Sequence, residues 1–329
     1  MEGALMLIVG QEDRYPPVEI NHDGAIYALT FSANGAYLVS GGDRGVHVWQ
    51  MEDGKETERM QTMNVWRFAI SQDDKWIAAG TEYQELLLFD RETFQTFSLW
   101  HGGDGVGDVD FSPDSTRLVA AIGYCSPIGD SADGRPTPPS GVWDIATRER
   151  ALNLDHYDTK VAKYSPQGNR IATANGYSLK IWDSGDGRLI LDLRVGATEV
   201  LWQCNDHLFV VSSREYGAVT VYQHIDASTG AILAEWPAER NTCIATPKHG
   251  EFIAYTKSHI VMIGDSSTRS LLGSIQHSQA PSSIALSPDG KFLAIGGWDG
   301  RITLKNLSRF TASILSHSIL VHLNNLQVL

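Results

Sequence analysis

A short motif that recurs roughly every 40 residues constrains this chain more than any other feature. Its form is apolar-x-apolar-Ser, then a turn, then an apolar run. The clearest copies are Phe31-Ser32-Ala33-Asn34-Gly35, Phe111-Ser112-Pro113-Asp114, Tyr164-Ser165-Pro166-Gln167-Gly168 and Leu286-Ser287-Pro288-Asp289-Gly290, with Ile70-Ser71-Gln72-Asp73-Asp74 a fifth. Anchoring on the Ser position gives Ser32, Ser71, Ser112, Ser165, Cys204, Thr246 and Ser287, separated by 39, 41, 53, 39, 42 and 41 residues. Cys204 and Thr246 are placed by spacing and by the apolar run that follows each. A unit of this length is one supersecondary element that cannot bury its apolar face alone, so the chain must stack its seven copies.

Each unit carries the same internal pattern. Alternation puts Leu29 with Phe31, Phe68 with Ile70, Val109 with Phe111 and Ile284 with Leu286 on one face of a first strand. After the turn come runs that are apolar at consecutive positions, such as Tyr37–Ser40, Trp76–Ala79, Leu118–Ile122, Leu208–Val211, Phe252–Tyr255 and Phe292–Ile295, which suit strands covered on both faces. A third strand ends in an aromatic residue, often followed by Asp: Val48-Trp49, Leu88-Phe89-Asp90, Val142-Trp143-Asp144, Ile181-Trp182-Asp183 and Val221-Tyr222. A fourth completes the unit, as at Leu189–Leu193. The expected fold class is all-β: a seven-bladed β-propeller of four-stranded antiparallel blades, its ring closed by a terminal strand.

These residues resemble the WD-repeat family, whose units are marked by Gly-His, Ser-Pro-Asp-Gly and Trp-Asp signatures. Ser-Pro-Asp stands at Ser112–Asp114 and Ser287–Asp289, Trp-Asp at Trp143-Asp144 and Trp182-Asp183, and the resemblance covers about residues 17 to 307. It also departs from the pattern. The Gly-His signature is degraded to His22-Asp23, His101-Gly102, Asp155-His156 and Gln276-His277. The family's buried His, Ser/Thr, Asp and Trp network is expected in unit 1 alone, as His22, Ser40, Asp43 and Trp49; in unit 7 Asp299 is kept but Lys305 replaces the Trp.

The domain boundaries read as an N-terminal extension over 1–16, the propeller over 17–308 and a C-terminal tail over 309–329. Unit 3 is long because of a segment over 123–141 that holds four of the chain's 12 prolines, a composition that cannot continue a strand ladder and reads as a projecting loop. The segment Pro17–Asn21, just before His22, sits where a fourth strand sits in the other units and would complete unit 7; Ala312–Leu315 in the tail competes for that role.

Charge narrows the function classes. With 26 Lys+Arg against 39 Asp+Glu the net charge is −13, which offers no basic footprint for nucleic acid or for an anionic membrane surface. No stretch reaches the roughly 18 apolar residues of a membrane span, and the apolar start Ala4–Val9 lacks the flanks of a signal peptide. Cys125, Cys204 and Cys243 form no C-x-x-C pair and fit a reducing compartment, Cys243 as a small buried hydrophobe. The expected location is cytoplasmic, with the nucleus not excluded.

Signatures of catalysis are missing from the sequence: there is no phosphate-cradling Gly-rich loop with Lys, no His-Glu-x-x-His and no Gly-x-Ser-x-Gly. The acidic run Asp104, Asp108, Asp110, Asp114 lacks the Glu of a calcium loop. No catalytic residue, cofactor or metal is expected. Asp108 and Asp110, with Arg67 and Lys163, read as charges around a central channel, and a small-ligand or enzymatic channel mouth is the alternative function. In the family, the loops from one blade's last strand to the next blade's first, and those between second and third strands, form one face. That face would carry Tyr27, Trp66, Tyr83, Tyr177, Arg214, Tyr216 and Trp298. Exposed Trp, Tyr and Arg dominate binding hot spots. The expected function is therefore a non-enzymatic protein–protein interaction scaffold or recognition module, a monomeric propeller within a complex, whose partners are other proteins and, from the net charge, basic segments.

Overall fold

The hydrogen bonds of the Ser-containing turn explain why the motif repeats. Ser32 Oγ donates to Asn34 Oδ1 at 2.7 Å and accepts the Tyr37 N–H at 3.0 Å. The same pair of bonds joins Ser71 to Asp73 and Trp76, Ser112 to Asp114 and Arg117, and Ser287 to Asp289 and Phe292. Each hydroxyl is buried and satisfied, which a purely apolar residue could not achieve at a turn that must feed two strands. The residue three places after each Ser is left-handed: Gly35 at φ 72°, Asp74 at 58°, Ser115 at 60°, Gly168 at 75° and Gly290 at 68°. Glycine adopts that conformation without strain, hence its recurrence there. The Asp at the end of the third strand has a similar task, since Asp90, Asp144 and Asp183, each after an aromatic, and Asp226, after Ile225, accept backbone N–H groups from the residues that follow and fix the turn to the outer strand.

The structure is a computed structural model that describes residues 18–62, 64–81, 84–102, 105–123, 138–204, 206–214, 219–239, 242–247, 252–266 and 270–308. These form seven four-stranded antiparallel sheets. The inner strands are Ile26–Phe31, Val65–Ile70, Gly105–Phe111, Val161–Tyr164, Glu199–Cys204, Ile244–Ala245 and Ser283–Leu286, and each lies against the inner strands of its neighbours around a ring. This is the expected seven-bladed propeller. Blade 7 takes its fourth strand from the start of the chain: Val18–Asn21 pairs with Arg301–Asn306, Val18 opposite Leu304 and Asn21 opposite Arg301. The alternative segment Ala312–Leu315 lies outside the described residues, as do residues 1–17, the tail 309–329 and 124–137 of the blade 3 insertion.

Strand register corrects two anchors. In blades 1, 2, 3, 4 and 7 the residue before the Ser pairs with an apolar residue of the second strand: Phe31 with Leu38, Ile70 with Ile77, Phe111 with Leu118, Tyr164 with Ile171 and Leu286 with Leu293. In blade 5 the matching pair is Trp202 and Leu208, so the motif position is Gln203 rather than Cys204. In blade 6 the pairing of Ala245 with Ala254 moves it from Thr246 to Pro247. Both units lack the Ser whose hydrogen bonds set the turn, so spacing alone missed by one. The third strand of blade 5 also runs on past Tyr222, from Val219 to Asp226.

The same register defines one position of the third strand in every blade: Trp49, Phe89, Trp143, Trp182, Ile225, Gly264 and Lys305. Its side chain packs backward. Trp49 joins the cluster of Ile20, Ala294, Ile302 and Leu304 in blade 7, Trp143 that of Leu86 and Leu88 in blade 2, and Trp182 that of Val119, Val142 and Leu154 in blade 3. Apolar clusters of this kind fill six seams of the ring, and among the described residues none fills the seam between blades 5 and 6. There the position falls on Gly264, and a cavity of about 340 Å³ opens between Phe209, Trp236, Ile253, Tyr255 and Leu271. What joins this seam is aromatic contact, Tyr222 edge-on to Tyr255 with ring centroids 5.0 Å apart.

Candidate functional site

Antiparallel order puts the starts of the inner strands and the turns between second and third strands at one end of the ring. On that face three of the sequence-expected residues converge from three blades. Trp66 stacks on Tyr27, centroids 5.6 Å apart and planes 20° from parallel, and Trp298 meets the Tyr27 ring edge-on at 5.6 Å. Tyr27 is fixed from below because its hydroxyl donates to Asp43 Oδ1, while Asp43 Oδ2 accepts the Ala25 N–H at 3.0 Å. Trp66 stays 40% exposed and Trp298 62% exposed, so the trio forms a ledge with its outer surfaces open. Trp66 and Tyr27 are only partly tucked into the blade contact. Tyr177 shares this face on blade 4 and is 81% exposed, on a turn held by the Asn175 side chain. Arg214 ends the strand His207–Arg214 opposite Val219. Tyr83 and Tyr216 lie outside the described residues.

Beside the ledge opens the channel, a space of about 410 Å³ lined by all seven inner strands. Its charges pair off. Lys163 Nζ lies 2.8 Å from Asp108 Oδ1, and Asp108 Oδ2 accepts the Ala162 N–H at 3.2 Å. Asp110 accepts the Tyr164 N–H at 2.8 Å. Arg67, expected near Asp108 and Asp110, instead extends to Glu199 Oε1 of blade 5 at 2.9 Å. Burial pushes the Asp110 carboxyl up to about 6 and the Glu199 carboxyl upward. Burial opposes the charge on Lys163, yet Asp108 and Asp110 hold its pKa above the ordinary value. Cys243 packs beside these groups, its thiol donating to the Ser282 carbonyl at 3.3 Å and pushed up to about 12 by burial, which makes it a poor nucleophile.

Glu199 is the channel residue that sequence reasoning missed. Counted from the corrected anchor Gln203 it stands four residues before the motif position, as Arg67 does before Ser71 and Asp108 before Ser112. The off-by-one anchor had moved it to the other face of its strand, because side-chain direction alternates.

The buried polar network also extends further than expected. In blade 1 the Trp49 indole N–H donates to Ser40 Oγ at 2.8 Å, and Ser40 is 2.9 Å from His22 Nδ1. Asp43 takes no part in that chain; it holds Ala25 and Tyr27. Blade 4 has a second network that the sequence reading excluded: Trp182 Nε1 to Thr173 Oγ1 at 2.8 Å, Thr173 to His156 Nδ1 at 2.7 Å and His156 Nε2 to Ser178 Oγ at 2.9 Å. Ser178 does there what an acid does in the family pattern. Burial lowers the pKa of both His22 and His156 to about 4, so both rings are neutral at pH 7.

Among the described residues no group of three or more His, Cys, Asp and Glu is placed to hold a metal, and no helix is long and apolar enough to cross a membrane. The WD domain, G-beta repeat model matches residues 16–50 and 269–304. Eukaryotic translation initiation factor 3 subunit I of Pyricularia oryzae is 22% identical over 320 residues, spanning 88% of this chain and 91% of that protein. DDB1- and CUL4-associated factor 5 of Homo sapiens is 28% identical over 145 residues, 41% of this chain and 14% of that much longer protein. Among solved structures, Kuenenia stuttgartiensis hydrazine synthase superposes with a TM-score of 0.73 at 16% identity, covering 91% of this chain and 98% of that one. The Cps50 (Swd1) β-propeller domain of Myceliophteria thermophila gives 0.71 at 16% identity, covering 88% and 99%. These two likenesses concern the fold alone. With seven four-stranded sheets in the ring and two segments that match the WD domain, G-beta repeat model, the chain is a seven-bladed β-propeller that carries WD-like repeats.

Proposed function

We propose that this propeller is a non-enzymatic scaffold subunit that holds protein partners on the face carrying Tyr27, Trp66, Tyr177 and Trp298. The observation that carries the reading is the Tyr27–Trp66–Trp298 ledge. Tyr27 is locked by Asp43 and by two ring contacts, while both indoles keep open faces, so binding would order little that is not already ordered. Similarity over nearly the full length to a protein named as a subunit of a translation initiation factor supports an assembly role. Such assembly is an intracellular task, in line with the cytoplasmic location expected above. The net charge of −13 favours partners that present basic segments. The channel is less suited to turnover, because its Arg and Lys are already engaged by carboxylates.

The test is a capture from cell extract with the intact chain beside a Trp66→Ala/Trp298→Ala variant that melts at the same temperature, followed by titration of the partner so identified. Loss of about 30-fold or more in affinity supports the ledge as a hot spot of about 2 kcal/mol or more. An unchanged affinity rules it out.

A further inference from the structure

We infer that the Tyr27–Trp66–Trp298 ledge takes a proline-rich segment of a partner protein in the polyproline II conformation, with a basic residue beside the prolines directed to the channel mouth. The inference rests on the ledge reading above and names the class of partner that would use it. Three observations lead there. The first is the hydrogen-bonding character of the open rings. Trp49, Trp182 and Trp202 satisfy their indole N–H groups inside the fold, on Ser40 Oγ, Thr173 Oγ1 and the Lys163 carbonyl. Among the described residues, the indole N–H groups of Trp66 and Trp298 make no hydrogen bond, and both rings are exposed. An indole N–H donates and cannot accept, so the two open rings call for carbonyl groups and offer nothing to a partner's N–H. Helices and sheets use up their own carbonyls. Polyproline II has no internal hydrogen bonds, and proline brings no N–H that would need an acceptor.

The second is the spacing of the rings. Each indole centroid lies 5.6 Å from that of Tyr27, so the two indoles are separated by about 11 Å at most. A polyproline II helix repeats every three residues and advances about 9 Å per turn. Two prolines one turn apart can therefore lie against the two indoles, with Tyr27 between them. Asp43 already holds the Tyr27 hydroxyl, and a proline run is stiff before it binds, so neither side has much order left to lose.

The third is charge. Arg67 ties the ledge to the channel, since its Nη1 donates to the Tyr27 carbonyl at 3.3 Å and its Nη2 donates to Glu199 Oε1 at 2.9 Å. Among the described residues that line the channel, the carboxylates Asp108, Asp110 and Glu199 outnumber the cations Arg67 and Lys163. A Lys or Arg next to the proline run meets that excess of negative charge, whereas an acidic residue there is repelled.

The experiment titrates the full chain into a fluorescein-labelled peptide of about six prolines followed by Lys-Arg, read by fluorescence anisotropy. Saturable binding is expected, about tenfold tighter than to the same peptide with Ala for each Pro and about threefold tighter than to one ending in Glu-Glu. Trp66→Phe/Trp298→Phe keeps two aromatic rings and removes both N–H groups, and should weaken binding about fivefold; Trp66→Ala/Trp298→Ala should weaken it about tenfold or more. No saturation up to about 1 mM chain, equal binding of the alanine peptide, or full affinity in the Phe variant overturns the proposal. Equal affinity for the Glu-Glu peptide overturns the placement of the basic residue at the channel mouth. A partner captured from extract and lost in the Ala variant, beside a proline peptide that does not bind, would keep the ledge and overturn the proline class; failure of both would remove both.

Discussion

The seam between blades 7 and 1 and the seam between blades 5 and 6 are built on the same backbone plan by opposite means. At the first, Trp49 fills the space against Ile20, Ile302 and Leu304, and its indole N–H is satisfied through Ser40 and His22. At the second, Gly264 leaves the space open and three aromatic rings, Tyr222, Trp236 and Tyr255, hold the edges of the hole. The difference teaches that the propeller plan does not require each blade to carry the family's residues. Turns and register set the geometry, and a seam can forgo its central side chain if its neighbours are large.

The comparison can be broken most sharply by Trp49→Ala, which should destabilise the fold by about 3–5 kcal/mol in chemical denaturation, whereas no side chain at Gly264 exists to lose. A loss under 1 kcal/mol would mean that the 7–1 seam does not depend on its Trp. Acid should come next. His22 and His156 titrate near 4 when folded but near 6.5 when unfolded, so the unfolded chain binds protons first. Stability is whole above about pH 6.5, falls as pH drops and has lost about 3 kcal/mol per histidine by pH 4. Hydrogen-exchange protection, corrected for the intrinsic fall of exchange rate with pH, should therefore be weaker at pH 5 than at pH 7.5 in blades 1 and 4 and least changed in blade 6; a uniform response would contradict it. At the 5–6 seam, Tyr222→Phe removes the bond to the Thr256 carbonyl at 3.4 Å and should lower stability by about 1 kcal/mol, read from the denaturation midpoint. Smallest is Gly264→Ala, expected to gain about 0.5–1 kcal/mol because glycine within a strand is costly and the added Cβ has room. A loss would show that the hole is needed empty.

What could be read from the residues follows the same division. Blades whose turn is set by a Ser hydroxyl were legible to the residue, since Ser32, Ser71, Ser112, Ser165 and Ser287 mark both a hydrogen-bond pattern and a register. Blades 5 and 6 were legible as units but not in register, because Gln203 and Pro247 carry no such signature and only pairing across strands locates them. That one-residue shift concealed Glu199, the partner of Arg67. Of the face residues, the pattern placed Tyr27, Trp66 and Trp298 at one end of the ring, but their stacking depends on distances between blades that no local pattern contains. The blade 4 network was missed because Ser178 replaces the acid at a different offset from Thr173 than Asp43 holds from Ser40.

The strand Val18–Asn21 gives this molecule an awkward birth. It is synthesised well before its pairing partner, Arg301–Asn306, because all of blades 1 to 6 lie between the two in the chain. Until that partner is made, the strand must wait with its hydrogen-bonding edge bare, for a contact of very long sequence separation that is slow to form and open to wrong neighbours meanwhile. Anything that acts on the half-made chain, a chaperone or a partner that binds during synthesis, would find its natural handle there.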